Sequence, residues 1–259
     1  MEIVIARDAA AVGELAADAI VAALGRRSEP VLGVATGSSP LTTYRALALR
    51  PIEWRTVAAF ALDEYVGLPE EHPQSYHRVI DVEVTQRLGL DPGRVHVPNG
   101  NAGDLSGECE RFERAIRDAG GVDVQILGIG SNGHIGFNEP ASSFGSRTRI
   151  KTLTPRTRRD NARFFSSPEE VPVHCITQGL GTIMDARRVV LVATGDRKAA
   201  AVAAMVEGPV SARVPASILQ HHRHATIVVD EAAAEQLAGA EYYRFIQEQK
   251  HRLSPADDV

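Results

Sequence analysis

The sequence predicts an α/β fold, a Rossmann-like open and mostly parallel sheet with helices on both faces. Three observations predict it. Short apolar runs recur along the 259 residues without the alternation of a half-exposed strand, stretches of helical spacing separate them, and each run breaks abruptly into polar, often glycine-rich residues. Parallel strands buried on both faces read as continuous apolar runs. Their alternation with helices is the pattern of a parallel sheet, and ligands of such sheets bind beyond the carboxyl ends of the strands.

The elements follow in order. Residues 9–24 set Val12, Leu15, Ala16, Ala19, Ile20, Ala23 and Leu24 at helical spacing, with Asp8 as N-cap and Gly25 as stop. The run Val31-Leu32-Gly33-Val34-Ala35 ends in Thr36-Gly37-Ser38-Ser39-Pro40, and Val57 to Leu62 ends in Asp63-Glu64-Tyr65. A helix over 107–119 precedes the run Val124 to Ile129, which meets Gly130-Ser131-Asn132-Gly133-His134. Val189 to Ala193 then meets Thr194-Gly195-Asp196-Arg197-Lys198, a helix covers 197–206, and Thr226 to Val229 is the last strand before a helix over 231–248. Residues 1–259 read as one domain, with no repeat or linker and a frayed tail from about Ser254.

Composition narrows the function. Lys and Arg number 28 against 33 Asp and Glu, a net charge of −5, so no basic stripe is ready for nucleic acid. No apolar run approaches the roughly 18 residues of a membrane span. The start, Met1-Glu2-Ile3-Val4-Ile5, is no signal peptide. Cys109 and Cys175 lack metal-ligand spacing, and the chain reads as a cytoplasmic protein with ordinary thiols. The cluster His221-His222-Arg223-His224 has no spacing that demands a metal and reads as surface.

Four segments carry chemistry. In Thr36-Gly37-Ser38-Ser39-Pro40, Pro40 suits the first helical position, so free N–H groups and hydroxyls lie ahead of a helix N-terminus. The segment reads as an anion cradle or as a simple capped turn, and without a following Gly-Lys-Ser/Thr it is no Walker loop. Asp63 and Glu64 close a strand; neighbours in extended chain point opposite ways, so one of them faces a site, or both form a surface turn. Residues 128–140 set His134 among glycines between Asn132 and Glu139, as a general base with orienting groups or as a structural histidine. Arg147, Arg149, Lys151, Arg156, Arg158, Arg159 and Arg163, with Lys198 beyond them, form a solvated face or one or more anion sites.

With these segments in view, the chain resembles the glucosamine-6-phosphate deaminase (isomerising) family from end to end. The resemblance rests on Thr36 to Tyr44, Asp63 to Tyr76 (DEYVGLPEEHPQSY), Leu127 to Thr154 (LGIGSNGHIGFNEPASSFGSRTRIKTLT), Arg163-Phe164-Phe165 and Gly195 to Lys198. It implies conversion of glucosamine 6-phosphate and water to fructose 6-phosphate and ammonia, without metal or organic cofactor. The implied partner is a small-molecule sugar phosphate, with no nucleic acid and no membrane, and the implied assembly is a homo-oligomer. Gly37, Ser38, Ser39, Arg163 and Lys198 would hold the phosphate. His134 would move a proton in ring opening, assisted by Glu139 and Asn132, and Asp63 would carry a proton between the second and first sugar carbons. Many family members have an acid where Asn132 stands. Its oxygen is expected to accept a hydrogen bond from the imidazole but cannot supply the charge that stabilises imidazolium, which predicts a shifted pH optimum. An activating site for N-acetylglucosamine 6-phosphate would match Ser142, Arg149, Lys151 and Thr152, although Arg244, beside Tyr243, stands where the family's site has a tyrosine.

Two rivals differ in kind. A 6-phosphogluconolactonase-like hydrolase shares the fold and a Gly-His segment, but Asp63-Glu64-Tyr65 and Phe137-Asn138-Glu139-Pro140 point away from it. A non-catalytic sugar-phosphate sensor would not need Asp63, His134 and Glu139 together, and the chain reads as having no helix-turn-helix ahead of its first strand.

Overall fold

The computed structural model describes residues 1–25 and 27–250. Strand β1 (Glu2–Ala6) leads into α1 (Ala9–Leu24), which Asp8 caps by accepting the Ala11 N–H at 2.8 Å and which ends at Gly25 as expected. The chain continues through β2 (Val31–Val34), α2 (Leu41–Leu47), β3 (Ala58–Ala61), β4 (Asp63–Tyr65), α3 (Tyr76–Ile80), β5 (Val95–His96) and α4 (Leu105–Asp118). Then come β6 (Val124–Leu127), β7 (Arg149–Thr152), α5 (Pro155–Asn161), β8 (His174–Thr177), α6 (Leu180–Met184), β9 (Arg188–Ala193), α7 (Ala199–Val206), β10 (Ala225–Asp230), α8 (Glu231–Ala234) and α9 (Ala240–Lys250).

Seven strands form the main sheet in the order β1-β10-β9-β6-β2-β3-β5, and every neighbouring pair in it is parallel. All four residues of β2, β3 and β6 are buried, which is why these runs show no alternation. Helix α1 turns Val12, Ala16, Ile20 and Leu24 into the core against β9 and β10. From β2 the chain adds β3 and β5 on one side, while β6, β9 and β10 extend the other side. The connections therefore part between β2 and β6, and a crevice opens beyond their carboxyl ends.

The sequence did not suggest the second sheet. Strand β4 leaves β3 after Leu62 alone and pairs antiparallel with β8, which pairs antiparallel with β7. Tyr65, Leu68, Phe137, Leu153, Val171 and Cys175 form its own small core. These strands are three or four residues long, too short for a periodic signature.

Other expectations need correction. The helix expected over 231–248 is broken between α8 and α9, because the Glu207 carboxylate draws the Ala238 and Gly239 N–H groups to itself at 2.8 Å each and accepts from the Tyr243 hydroxyl at 3.0 Å. Leu237 in the break is buried in the main core. The helix expected over 107–119 starts earlier, at Leu105, where Asp104 accepts the Ser106 and Gly107 N–H groups. Residues 196–198 form a 3-10 turn ahead of α7, and Pro40 stands just outside α2 rather than at its first position. His222, read as surface, is 6% exposed and bonds the Ala186 carbonyl through Nε2 at 2.8 Å. The tail from Ser254 lies outside the described residues. Among the described residues no helix is long and apolar enough to cross a membrane.

The Glu207 contact is a cap supplied from a distant element, and losing a cap costs about 1 kcal/mol. Glu207→Ala is expected to lower the unfolding free energy by about that amount and to expose the α8–α9 junction to protease, as urea titration and limited proteolysis would measure.

Candidate active site

A cavity of about 940 Å³ occupies the crevice beyond β2, β3, β6 and β9, and each strand delivers one polar segment to it. After β2, Gly37, Ser38 and Ser39 line one wall. Gly37 adopts φ 96°, a left-handed conformation that glycine alone enters freely. The base of this loop is fixed by Tyr44, whose buried hydroxyl donates to the Ala35 carbonyl at 2.8 Å and accepts its N–H at 3.0 Å.

After β3 comes Asp63, 5% exposed yet lining the cavity. As the strand geometry requires, Glu64 points away and does not line it. Burial raises the Asp63 carboxyl well above the usual carboxylate range, the neighbouring charge of Glu64 adds to this, and the Phe137 N–H offsets it in part.

After β6 the loop turns back on itself: the Gly130 N–H donates to the His134 carbonyl at 2.9 Å, and the Gly133 N–H to the Gly130 carbonyl at 2.9 Å. His134 faces the cavity, with Asn132 and Glu139 behind it. Glu139 Oε2 lies 3.6 Å from His134 Nδ1 and accepts the Asn132 Nδ2–H at 2.7 Å, while Oε1 accepts from the Thr154 N–H at 3.2 Å and its hydroxyl at 3.1 Å. Burial opposes the charge on Glu139. His134, Thr157 and Asn132 outweigh it and hold the carboxyl down at about 2. The expected bond from imidazole to the Asn132 oxygen is absent: that oxygen accepts the backbone N–H of His134 at 3.2 Å, and Glu139 is the group facing the ring. With an amide at position 132, its N–H can tie down the carboxylate, which a second acid there could do only when protonated.

After β9, Lys198 lines the cavity and donates to the Ile129 carbonyl at 2.6 Å. Burial and the charge of Arg163 lower its pKa. Arg163, just beyond α5, lies over the Phe164 ring at 4.7 Å. The basic stretch therefore divides. Arg156 and Arg163 line the cavity, Arg147 pairs with Glu113 at 2.8 Å and Asp185 at 2.6 Å, and Arg158 bonds the Val171 carbonyl.

The structure thus brings Gly37, Ser38, Ser39, Asp63, His134, Arg163 and Lys198 to one cavity. Ser142, Arg149, Lys151 and Thr152 do not line it: the last three sit on β7, and Ser142 is buried in the loop before it. Among the described residues the buried Ser142 hydroxyl and Arg149 Nη2 have no hydrogen-bond partner, Arg149 Nη1 reaches the Arg147 carbonyl at 3.3 Å, and the Thr152 hydroxyl meets His174 Nδ1 at 3.1 Å. Tyr243 and Arg244 are held within the C-terminal region by Glu207 and Glu231. Sequence reasoning missed the aromatic wall of Tyr65, Tyr76, Phe137 and Phe165 and the Ser131–Asp160 hydrogen bond at 2.9 Å. Each aromatic lay inside or beside a motif already singled out, but no spacing tells a wall from a core. Among the described residues no three His, Cys, Asp or Glu side chains are grouped as metal ligands.

Two predictions follow from this geometry. A Cβ on Gly130 would meet the His134 ring at 2.2–2.5 Å, so Gly130→Ala is expected to fold but displace the imidazole. A misplacement near 1 Å costs about 100-fold in rate, which kcat against a circular dichroism control would reveal. The raised Asp63 carboxyl favours the fold below its ordinary value of 3.8, and that contribution is lost as pH rises through the native value. Asp63→Asn is therefore expected to melt above the wild type at pH 8, with the gain vanishing toward pH 4 by calorimetry.

A family model described as glucosamine-6-phosphate isomerases/6-phosphogluconolactonase matches residues 6–228. A Cutibacterium acnes protein named glucosamine-6-phosphate deaminase is 58% identical over 260 residues, covering 99% of this chain and 100% of that protein. A solved structure described as a monomeric glucosamine-6-phosphate deaminase is 39% identical with a TM-score of 0.89, covering 91% of this chain and 100% of that one. The 6-phosphogluconolactonase from Trypanosoma cruzi, 18% identical with a TM-score of 0.74 over 92% of this chain and 97% of its own, shares the fold.

Proposed function

The chain belongs to the glucosamine-6-phosphate deaminase family, and on that premise we propose that it converts glucosamine 6-phosphate and water into fructose 6-phosphate and ammonia. The observation that carries the reading is one cavity holding both Asp63, a desolvated carboxyl, and His134, an imidazole backed by the ionised Glu139. The first is suited to a carbon acid and the second to ring opening.

The phosphate is held by Gly37, Ser38 and Ser39 on one wall with Arg163 and Lys198 facing the same space, so remote binding energy orients the reacting carbons. His134 takes the proton of the anomeric hydroxyl and returns one to the ring oxygen, and the ring C–O bond opens to the aldehyde. Glu139 stabilises the imidazolium formed on the way. Asp63 removes the proton from the second carbon while the aldehyde oxygen takes one from the substrate's own ammonium group, giving an enolamine, and Asp63 then delivers its proton to the first carbon. The resulting imine at the second carbon adds water and expels ammonia, leaving the ketone. A base for a carbon acid gains from a raised pKa, because the carboxylate is then a stronger proton acceptor.

A lactonase reading is favoured by the shared fold, a Gly-His segment and a family model that spans both activities. Lactone hydrolysis abstracts no proton from carbon and leaves the desolvated Asp63 without a task. The Ser142 hydroxyl and Arg149 Nη2, both without a hydrogen-bond partner among the described residues, support the second, activating sugar-phosphate site of the family reading, with Lys151 and Thr152 on the same strand as Arg149. Assembly into a homo-oligomer belongs to that reading and finds support in the exposed Ile150 of β7 and Val173 just before β8; light scattering tests it.

The reaction is tested by ammonia release from glucosamine 6-phosphate. Wild-type protein is expected to turn over and Asp63→Asn to lose at least about 1000-fold, the upper range for a general base; N-acetylglucosamine 6-phosphate is expected to raise the rate at low substrate. Hydrolysis of 6-phosphogluconolactone without ammonia release would overturn the reading.

A further inference from the structure

The reaction above leaves one buried acid beside its base unassigned. Glu64 follows Asp63 in β4, is 3% exposed and stays outside the cavity. Its carboxylate accepts three backbone N–H groups: Tyr65 at 2.7 Å and Tyr76 at 2.9 Å on Oε1, and His77 at 2.7 Å on Oε2. A buried carboxylate is tolerated when donors replace its water, and three N–H groups do so. Two of those donors open α3, so Glu64 fastens that helix to β4. From α3, Tyr76 stacks on Phe137 at 5.7 Å between centroids, its hydroxyl donates to the Tyr65 hydroxyl at 3.4 Å, and all three rings line the cavity with Asp63.

We propose that Glu64 is a positioning residue for the proton transfer at Asp63: a seated carboxylate that holds Tyr76 against the cavity and keeps its neighbour a strong proton acceptor. The proposal rests on the reading of Asp63 as the base. The titratable groups that act on or sense Asp63 are Glu64 and Tyr65 on its own strand, Tyr76 from α3 and Cys175 from β8, with His134 across the same cavity. Among the described residues no cation pairs with it. Two adjacent carboxyls titrate as a coupled pair, and the better-solvated member takes the charge first. Burial raises both carboxyls, but three N–H donors offset it at Glu64 against the single Phe137 N–H at Asp63, so Glu64 ionises first and Asp63 ionises against its charge.

Glu64→Gln keeps the size and removes the charge. It is expected to move the acid limb of the kcat/KM profile for ammonia release about one pH unit lower, the low end of the effect of a nearby like charge, and to reduce kcat at neutral pH. Glu64→Asp keeps the charge but retracts it from α3; the acid limb is expected to stay and KM to rise severalfold as Tyr76 loosens. A folded Glu64→Gln whose acid limb superimposes on the wild type overturns the proposal. Should that variant not fold, Glu64→Asp decides, and wild-type KM there overturns it equally. Asp63→Asn separates the two ideas. Turnover retained in that variant removes the base assignment and this proposal with it, whereas turnover lost there beside an unmoved limb in Glu64→Gln removes this proposal alone.

Discussion

The parting of the chain between β2 and β6 is the constraint on which the rest depends. Connections run outward in both directions from this pair, so their carboxyl ends open into the cavity. Loops from four parallel strands meet above that gap, and strands rather than loops fix where each segment begins. Asp63 and His134 come from different strands, yet both emerge from fully buried, hydrogen-bonded β-structure. Rigid elements position a site more closely than loops do.

Around that gap the surroundings sort the acids. Asp63 and Glu139 are both buried carboxyls, but they are driven in opposite directions. Asp63 has little but burial and a like charge around it and is pushed up. Glu139 has an amide, two threonines and an imidazole, and is held at about 2. Divergent environments of this kind separate the acid–base roles of like groups. In the proposed reaction the first carboxyl would accept a proton, and the second, kept charged, would steady the imidazole beside it.

The small antiparallel sheet makes both environments. Thr177 of β8 accepts the Phe137 N–H at 3.1 Å, while the buried Asn138 amide donates to the Ile135 and Gln178 carbonyls at 3.0 and 2.8 Å. The Gln178 amide in turn donates to the Ala61 carbonyl at the end of β3, at 2.9 Å. These buried amides tie the loop carrying His134 to the strands carrying Asp63. A low local dielectric makes each such bond strong and each unmade one costly. The spacing of Asp63 and His134 is thereby fixed from below, by bonds that do not involve the side chains of Ser38, Ser39, Arg163 and Lys198.

What the sequence determined by itself was the parallel core and the addresses of the chemistry. Buried strands must be apolar throughout, so Val31 to Val34, Val124 to Leu127 and Val189 to Ala193 announce themselves, and the glycines and polar residues at their ends mark where a ligand fits. Periodicity carries no information about partners in space, and there the tertiary structure decided. The second sheet has strands too short for a pattern, and the break before α9 is imposed by Glu207 more than thirty residues away. Which of Asn132 and Glu139 faces the His134 ring was open in the sequence for the same reason. Asn132 is near in sequence, but the turn at Gly130 to Gly133 sends its oxygen to a backbone N–H and leaves Glu139 to face the imidazole. His222 reads as surface because its spacing demands no metal, although the fold turns it inward onto the Ala186 carbonyl. Chemical type is written along the chain, whereas distance, burial and charge environment arise only when remote segments meet.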